Sequence, residues 1–99
     1  MTLISFEGKT PVIHASAWIA EDAVIIGDVQ IGSNSSIWFK TVLRGDINPV
    51  RIGCYVNIQD NAVVHVGHSA AHATNIGDYV SIGHHATLHG CTIKTEIMK

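Results

Sequence analysis

Seven of the 99 residues are histidines, and six of them, His65, His68, His72, His84, His85 and His89, fall in one stretch of the chain. Imidazole exchanges a proton near neutral pH and is a common ligand for transition metals. Acid–base chemistry or metal binding is therefore within the means of this stretch. Spacing narrows the choice: five residues separate His84 from His89, and six separate His65 from Gln59, whose amide could hold a small oxygen-bearing ligand. Asn57 and Asp60 stand on either side of Gln59, and Arg44-Gly45-Asp46 lies upstream. Each residue also has a plainer reading. A lone histidine is more often an exposed or hydrogen-bonded residue than a ligand, which is the expectation for His14, His68, His72 and His85 taken singly. An Arg44–Asp46 pair at a surface is worth only ~0–1 kcal/mol. Whether these residues form a site depends on the elements that carry them.

Those elements follow a period of six. Starting at Ile13, the period lands on Ile19, Ile25, Ile31, Ile37 and Leu43, slips by three, and resumes at Ile52, Ile58 and Val64. After a polar stretch it returns at Ile76, Ile82 and Leu88. Four places after each aliphatic comes a small or β-branched residue: Ala17, Ala23, Val29, Ser35, Thr41, Ile47, Val56, Ala62, Val80, Ala86 and Thr92, with His68 the exception. Gly32, Gly53, Gly77 and Gly83 directly follow aliphatics, as suits positive φ or tight backbone at corners. A helix repeats apolar residues every 3.6 positions and a plain strand every two, so neither alone fits. Short strands joined by regular corners do fit, each with two inward side chains. This is the signature of an all-β fold, a parallel β-helix, and the pattern resembles the triangular hexapeptide-repeat helix, which implies three sides to each of about four coils. The slip after Leu43 is then a bulge around Gly45 to Pro49. Residues 66–75 hold either an extra side beginning at Ala70 or a loop of about six residues, and the loop is favoured because alanine substitutes poorly for isoleucine or valine.

The loop reading has a chemical consequence. Arg44, His65 and His89 each follow the inward aliphatic on the same side of successive coils. His65 and His89 would then stack one strand spacing apart, ~4.8 Å, close enough for both rings to reach one metal at ~2.0–2.1 Å. His84 lies around the corner and would need a symmetric neighbour to bring it to them. Three neutral imidazoles leave a divalent ion its full charge and an open position, where the pKa of water falls from ~15.7 toward ~7.

Arg44-Gly45-Asp46, Asn57-Ile58-Gln59-Asp60, His65 and Gly83-His84-His85-Ala86-Thr87-Leu88-His89-Gly90 together resemble the γ-class carbonic anhydrases and their bacterial relatives. The resemblance covers roughly residues 10–93 and implies a left-handed β-helix. It also implies a homotrimer whose metal sites lie between subunits, with His65 and His89 from one chain and His84 from the next. Zinc is the expected ion, and iron(II) or cobalt(II) would suit the same ligands. The implied reaction is hydration of CO2 to bicarbonate. Gln59 would orient the reacting solvent, Arg44 and Asp46 would form an intersubunit ion pair, and Asn57 and Asp60 would support them.

The chain departs from the active pattern in two ways. Ile47 stands where that pattern has glutamate, and residues 61–77 contain no Asp or Glu. His68 and His72 are then the side chains near the ligands able to carry a proton. A catalytically weak metal-binding relative, or a hexapeptide-repeat acyltransferase or thioesterase, stays open as an alternative. The repeat also calls for an aliphatic at 94 and finds Lys94, so residues 1–99 read as one domain lacking the family's later coils and C-terminal helix. Composition excludes other classes. Net charge −2 and only 14% charged residues give no pull toward nucleic acid or anionic lipid. No apolar run approaches a membrane span, and Cys54 and Cys91 make no disulfide framework. Trp18, Trp38 and Phe39 read as packing residues, placed where subunits would meet. The expected location is the cytoplasm.

Overall fold

The computed structural model describes residues 1–95, and in it the six-residue period becomes a parallel β-helix. In chain order the strands are β1 (Thr2–Ile4), β2 (Val12–Ile13), β3 (Trp18–Ile19), β4 (Val24–Ile31), β5 (Ser36–Ile37) and β6 (Val42–Ile52). There follow β7 (Asn57–Ile58), β8 (Val63–His65), a 3-10 turn at Ala70–His72, β9 (Thr74–Ile76), β10 (Ser81–Ile82), β11 (Thr87–His89) and β12 (Thr92–Ile93). All pairings between these strands are parallel.

Register stacks one aliphatic per coil on each side. Side A aligns Ile13, Ile31, Ile52, Ile76 and Ile93. Side B aligns Ile19, Ile37, Ile58 and Ile82. Side C aligns Leu3, Ile25, Leu43, Val64 and Leu88. The inward members from Ile25 to Ile82 are buried, each contributing ~1.5–3 kcal/mol of apolar burial. Two members lie outside the six-residue phase. Leu3 adds a rung to side C ahead of Ile13, and the last coil shortens by one residue so that Ile93, not residue 94, faces Ile76.

The corners are not turned by the repeat glycines. Three places after the inward aliphatic stand Asn34, Lys40, Tyr55, Asn61, Tyr79 and His85, all with φ between 56° and 63°. Gly32, by contrast, serves close approach: a Cβ there would lie 2.6 Å from the Gly53 carbonyl of the next coil.

Growth of the coil is confined to the corner between sides C and A. Ile13 to Ile31 spans 18 residues, Ile31 to Ile52 spans 21, and Ile52 to Ile76 spans 24. Each insertion falls before the second inward residue and so delays it. The inward partner of Leu43 is Val50, opposite Val29, while Ile47 is 46% exposed. The inward partner of Val64 is Thr74, opposite Val50, while His68 is exposed. Residues 66–73 therefore form a loop that leads into β9, and the stretch 66–75 holds no extra side. The buried Thr74 is accommodated because its hydroxyl donates to the His65 carbonyl at 2.5 Å and accepts from the Gly90 N–H at 3.0 Å.

Candidate metal centre

The β8–β11 ladder sets His89 directly opposite His65. Their neighbours Val64 and Leu88 point inward, so alternation along a strand turns both imidazoles outward. The ring centroids are 5.4 Å apart with planes tilted by 48°. Arg44 continues the same outward column one coil earlier, because Leu43 pairs with Val64. Asp46 reaches back from the bulge, and its Oδ1 lies 2.9 Å from His65 Nε2. Arg44 Nη1 lies 3.5 Å from Asp46 Oδ2, and its Nη2 lies 3.4 Å from His65 Nδ1. Partial burial pushes the Asp46 carboxyl up, but the Ile47 N–H at 2.8 Å and the His65 imidazole outweigh it and hold the pKa below the usual 3.8.

The other expected residues sit elsewhere. Asn57 belongs to side B and donates from Nδ2 to Ser36 Oγ at 2.8 Å. Gln59 follows it at the corner and donates its amide N–H to the Asn57 carbonyl oxygen. Asp60 turns that corner, its backbone carbonyl accepting from the His85 N–H at 3.0 Å. His84 is exposed at the same corner one coil on, in register with Asp60 and Phe39. The structure thus gathers Arg44, Asp46, His65 and His89 and leaves Gln59, Asn57, Asp60 and His84 around a corner. Among the described residues, no three His, Cys, Asp or Glu side chains of this one chain come together to hold a metal.

The loop after β8 adds a wall. Gly67, His72, His89 and Gly90 line one small cleft, so His72 shares a cavity with a candidate ligand. His72 Nδ1 is 3.1 Å from Ser69 Oγ, and the Gly67 N–H donates to the His72 carbonyl at 2.9 Å. His68 is exposed. Asn48 was not among the sequence candidates, yet its Nδ2 donates to the carbonyls of Gly67 and Ser69, both at 2.6 Å. Its one sequence signal is position: it lies in the insertion directly beneath the longer one. The aromatic side chains are likewise not core. Trp18, Trp38 and Phe39 cluster with centroids 4.7–6.3 Å apart on the outside of side B, Trp18 45% and Phe39 41% exposed. Cys54 and Cys91 are half-buried and unpaired, and among the described residues no helix is long and apolar enough to cross a membrane.

Comparison with known proteins agrees with this architecture. Residues 10–45 match the family described as "Bacterial transferase hexapeptide (six repeats)". The chain is 50% identical over 99 residues to "Gamma carbonic anhydrase 1, mitochondrial" of Arabidopsis thaliana, covering 96% of this chain and 36% of that protein. It is 48% identical over 93 residues to "Carbonic anhydrase" of Geobacillus kaustophilus, covering 94% of this chain and 50% of that protein. The crystal structure of a hexapeptide transferase family protein from Anaplasma phagocytophilum superposes with a TM-score of 0.85 at 49% identity, over 92% of this chain and 52% of that one. The chain therefore spans half or less of the length of these curated relatives. With its repeat, its solenoid and its histidine ladder, the chain belongs to the γ-carbonic-anhydrase-like family of hexapeptide-repeat proteins.

Proposed function

We propose that the chain hydrates CO2 to bicarbonate as a homotrimer. A divalent metal, zinc in the first instance and iron(II) or cobalt(II) as fitting substitutes, is held by His65 and His89 of one copy and His84 of its neighbour. The observation that carries this reading is the register of His65 against His89, which sets two imidazoles 5.4 Å apart on an outer face. An all-nitrogen, neutral donor set suits such an ion. When bound, the ion supplies water activated at neutral pH.

The chain's own residues do the rest. Asp46 holds the His65 ring through Nε2, and the longer Arg44 contact at 3.4 Å is the one more easily surrendered when a ligand arrives. Gln59 of the neighbour, released from Asn57 and brought in at the same corner as His84, orients an oxygen of bicarbonate, and Asn57 and Asp60 hold that corner. His72 at the cleft, with the exposed His68 in the same loop, carries the proton away. A neighbour is favoured by the outer surface of side C. There Val24, Val42 and Val63 form an aliphatic column beside the histidines, and Ile26 heads the column that continues through Arg44, whereas a solvated sheet face alternates to polar residues. The unpaired cysteines suit the reducing cytoplasm proposed as its location.

A second reading, a metal-binding relative with little or no turnover, is favoured by one observation. Ile47 is exposed in the insertion beside Asp46, and no carboxylate lies between residues 61 and 77. Metal analysis of purified protein of defined oligomeric state, with CO2 hydration measured on the same sample, separates the two. About one divalent ion per chain with measurable hydration supports the first reading, and metal without hydration supports the second. Metal retained by the His65→Ala, His84→Ala, His89→Ala triple variant overturns both, as does CoA-thioester turnover without metal.

A further inference from the structure

The loop over the site is built, not merely tolerated. Three features converge on the position of His72. A Cβ added to Gly67 would lie 2.6 Å from the His72 Cβ, and one added to Gly90 would lie 3.2 Å from it. Gly90 also has φ +59°, where side chains are strained. His72 therefore occupies space that two glycines leave open. What holds the loop in that space is a side chain from the previous coil. Asn48 Nδ2 spends its donors on two carbonyls, Gly67 and Ser69, which bracket the turn leading into Ala70–His72. The Gly67 N–H then closes the turn on the His72 carbonyl at 2.9 Å. Both insertions occupy the same corner of successive coils, so the shorter supplies the clamp and the longer is the segment clamped.

We infer that Asn48 is a positioning residue: by clamping the Gly67 and Ser69 carbonyls it seats His72 in the cleft beside His89 and gives the site its fixed outer wall. The benefit to turnover rests on the function proposed above; the seating itself does not. A loop of eight residues, left free, samples many conformations, and two hydrogen bonds from a half-buried amide restrict it at small entropic cost.

Asn48→Asp keeps the size of the side chain but sets a carboxylate oxygen against both carbonyls, while Asn48→Gln keeps the donor. Amide hydrogen exchange and NMR cross-relaxation on the full chain read the outcome. In Asn48→Asp the Gly67 amide should exchange about tenfold faster or more, and the contact between His72 β-protons and Gly90 α-protons should vanish. Amides of β7 and β10 should stay at parental rates, and Asn48→Gln should restore part of the protection. Asn48→Ala should reproduce the loosening, which guards against a folding defect peculiar to the introduced charge. Parental Gly67 exchange and an intact His72–Gly90 contact in both Asn48→Asp and Asn48→Ala would overturn the inference. CO2 hydration in the same samples keeps the two claims apart. A loosened loop in the variants with no hydration even in the parent removes the proposed activity and leaves the clamp standing.

Discussion

Removing one imidazole of the outward pair should empty the metal site and leave the fold in place, because neither ring is part of the core. For His89→Ala, which is exposed, we expect loss of nearly all bound metal by elemental analysis and a change in unfolding free energy within about 0.5 kcal/mol. Asp46 makes a pH prediction. Its folded-state pKa lies below the ordinary value, so its contribution to stability is present above that value and fades as pH falls through the lower one. Asp46→Asn should flatten the acid side of the stability profile below pH ~4, as followed by urea titration at several pH values. At the proton-transfer step, His68→Ala with His72→Ala should slow hydration at low buffer concentration, and added imidazole should restore the rate. An unchanged rate in the double variant would remove both from the reaction. At this scale the His65–His89 pair was legible because the phase of the repeat dictates which residues stack. Asn48 was not, since a side chain bonding the carbonyls of a neighbouring loop leaves no periodic trace.

Among the strands, the ladders define what a core substitution costs. Ile58 is fully buried between Ile37 and Ile82, so Ile58→Ala should lose about 2–5 kcal/mol through lost burial and the cavity left behind, measured by chemical denaturation. The corners predict the opposite sign. Lys40 turns its corner at φ 58°, a conformation that asparagine adopts more readily than lysine. Lys40→Asn should therefore raise stability by up to about 1 kcal/mol, provided that its N–H still bonds Asp22 Oδ1 at 2.9 Å. The aliphatic rungs were readable from the sequence because burial imposes a strict period, and their grouping into three sides came with the resemblance to the hexapeptide-repeat helix. The position of the inward partner after each insertion was not. Counting from Leu43 favours Ile47, yet pairing against Val29 selects Val50, and only the neighbouring coil carries that information. The corners misled for a related reason: glycines stand at regular places, but at Gly32, Gly53 and Gly77 close approach of the next coil requires them, while asparagine, lysine, tyrosine and histidine make the turns.

For the molecule as a whole, assembly should follow side C and not side A. Val63→Asp places a charge in the aliphatic column next to His65 and should yield monomers that have lost metal, although all three candidate ligands remain. Val12→Asp is the matched control, since Val12 is 61% exposed on side A, and it should leave both mass and metal content unchanged. Light scattering with elemental analysis reads both; trimers that keep their metal in Val63→Asp would exclude this face as the contact. The lengthening of successive coils at the corner between sides C and A also bears on how such a protein diversifies. Core register resumes unaltered at Ile52 and at Ile76 after insertions of different size, and doubling a loop costs only about 0.6 kcal/mol. The corner that carries Asp46, His68 and His72, next to His65 and His89, is thus also the one where the chain is free to vary in length. A directed-evolution library confined to residues 46–49 and 68–73, which spares the buried Val66 and the crowded Gly67, would search new chemistry at nearly constant scaffold stability, with innovation and foldability written in separate parts of the gene.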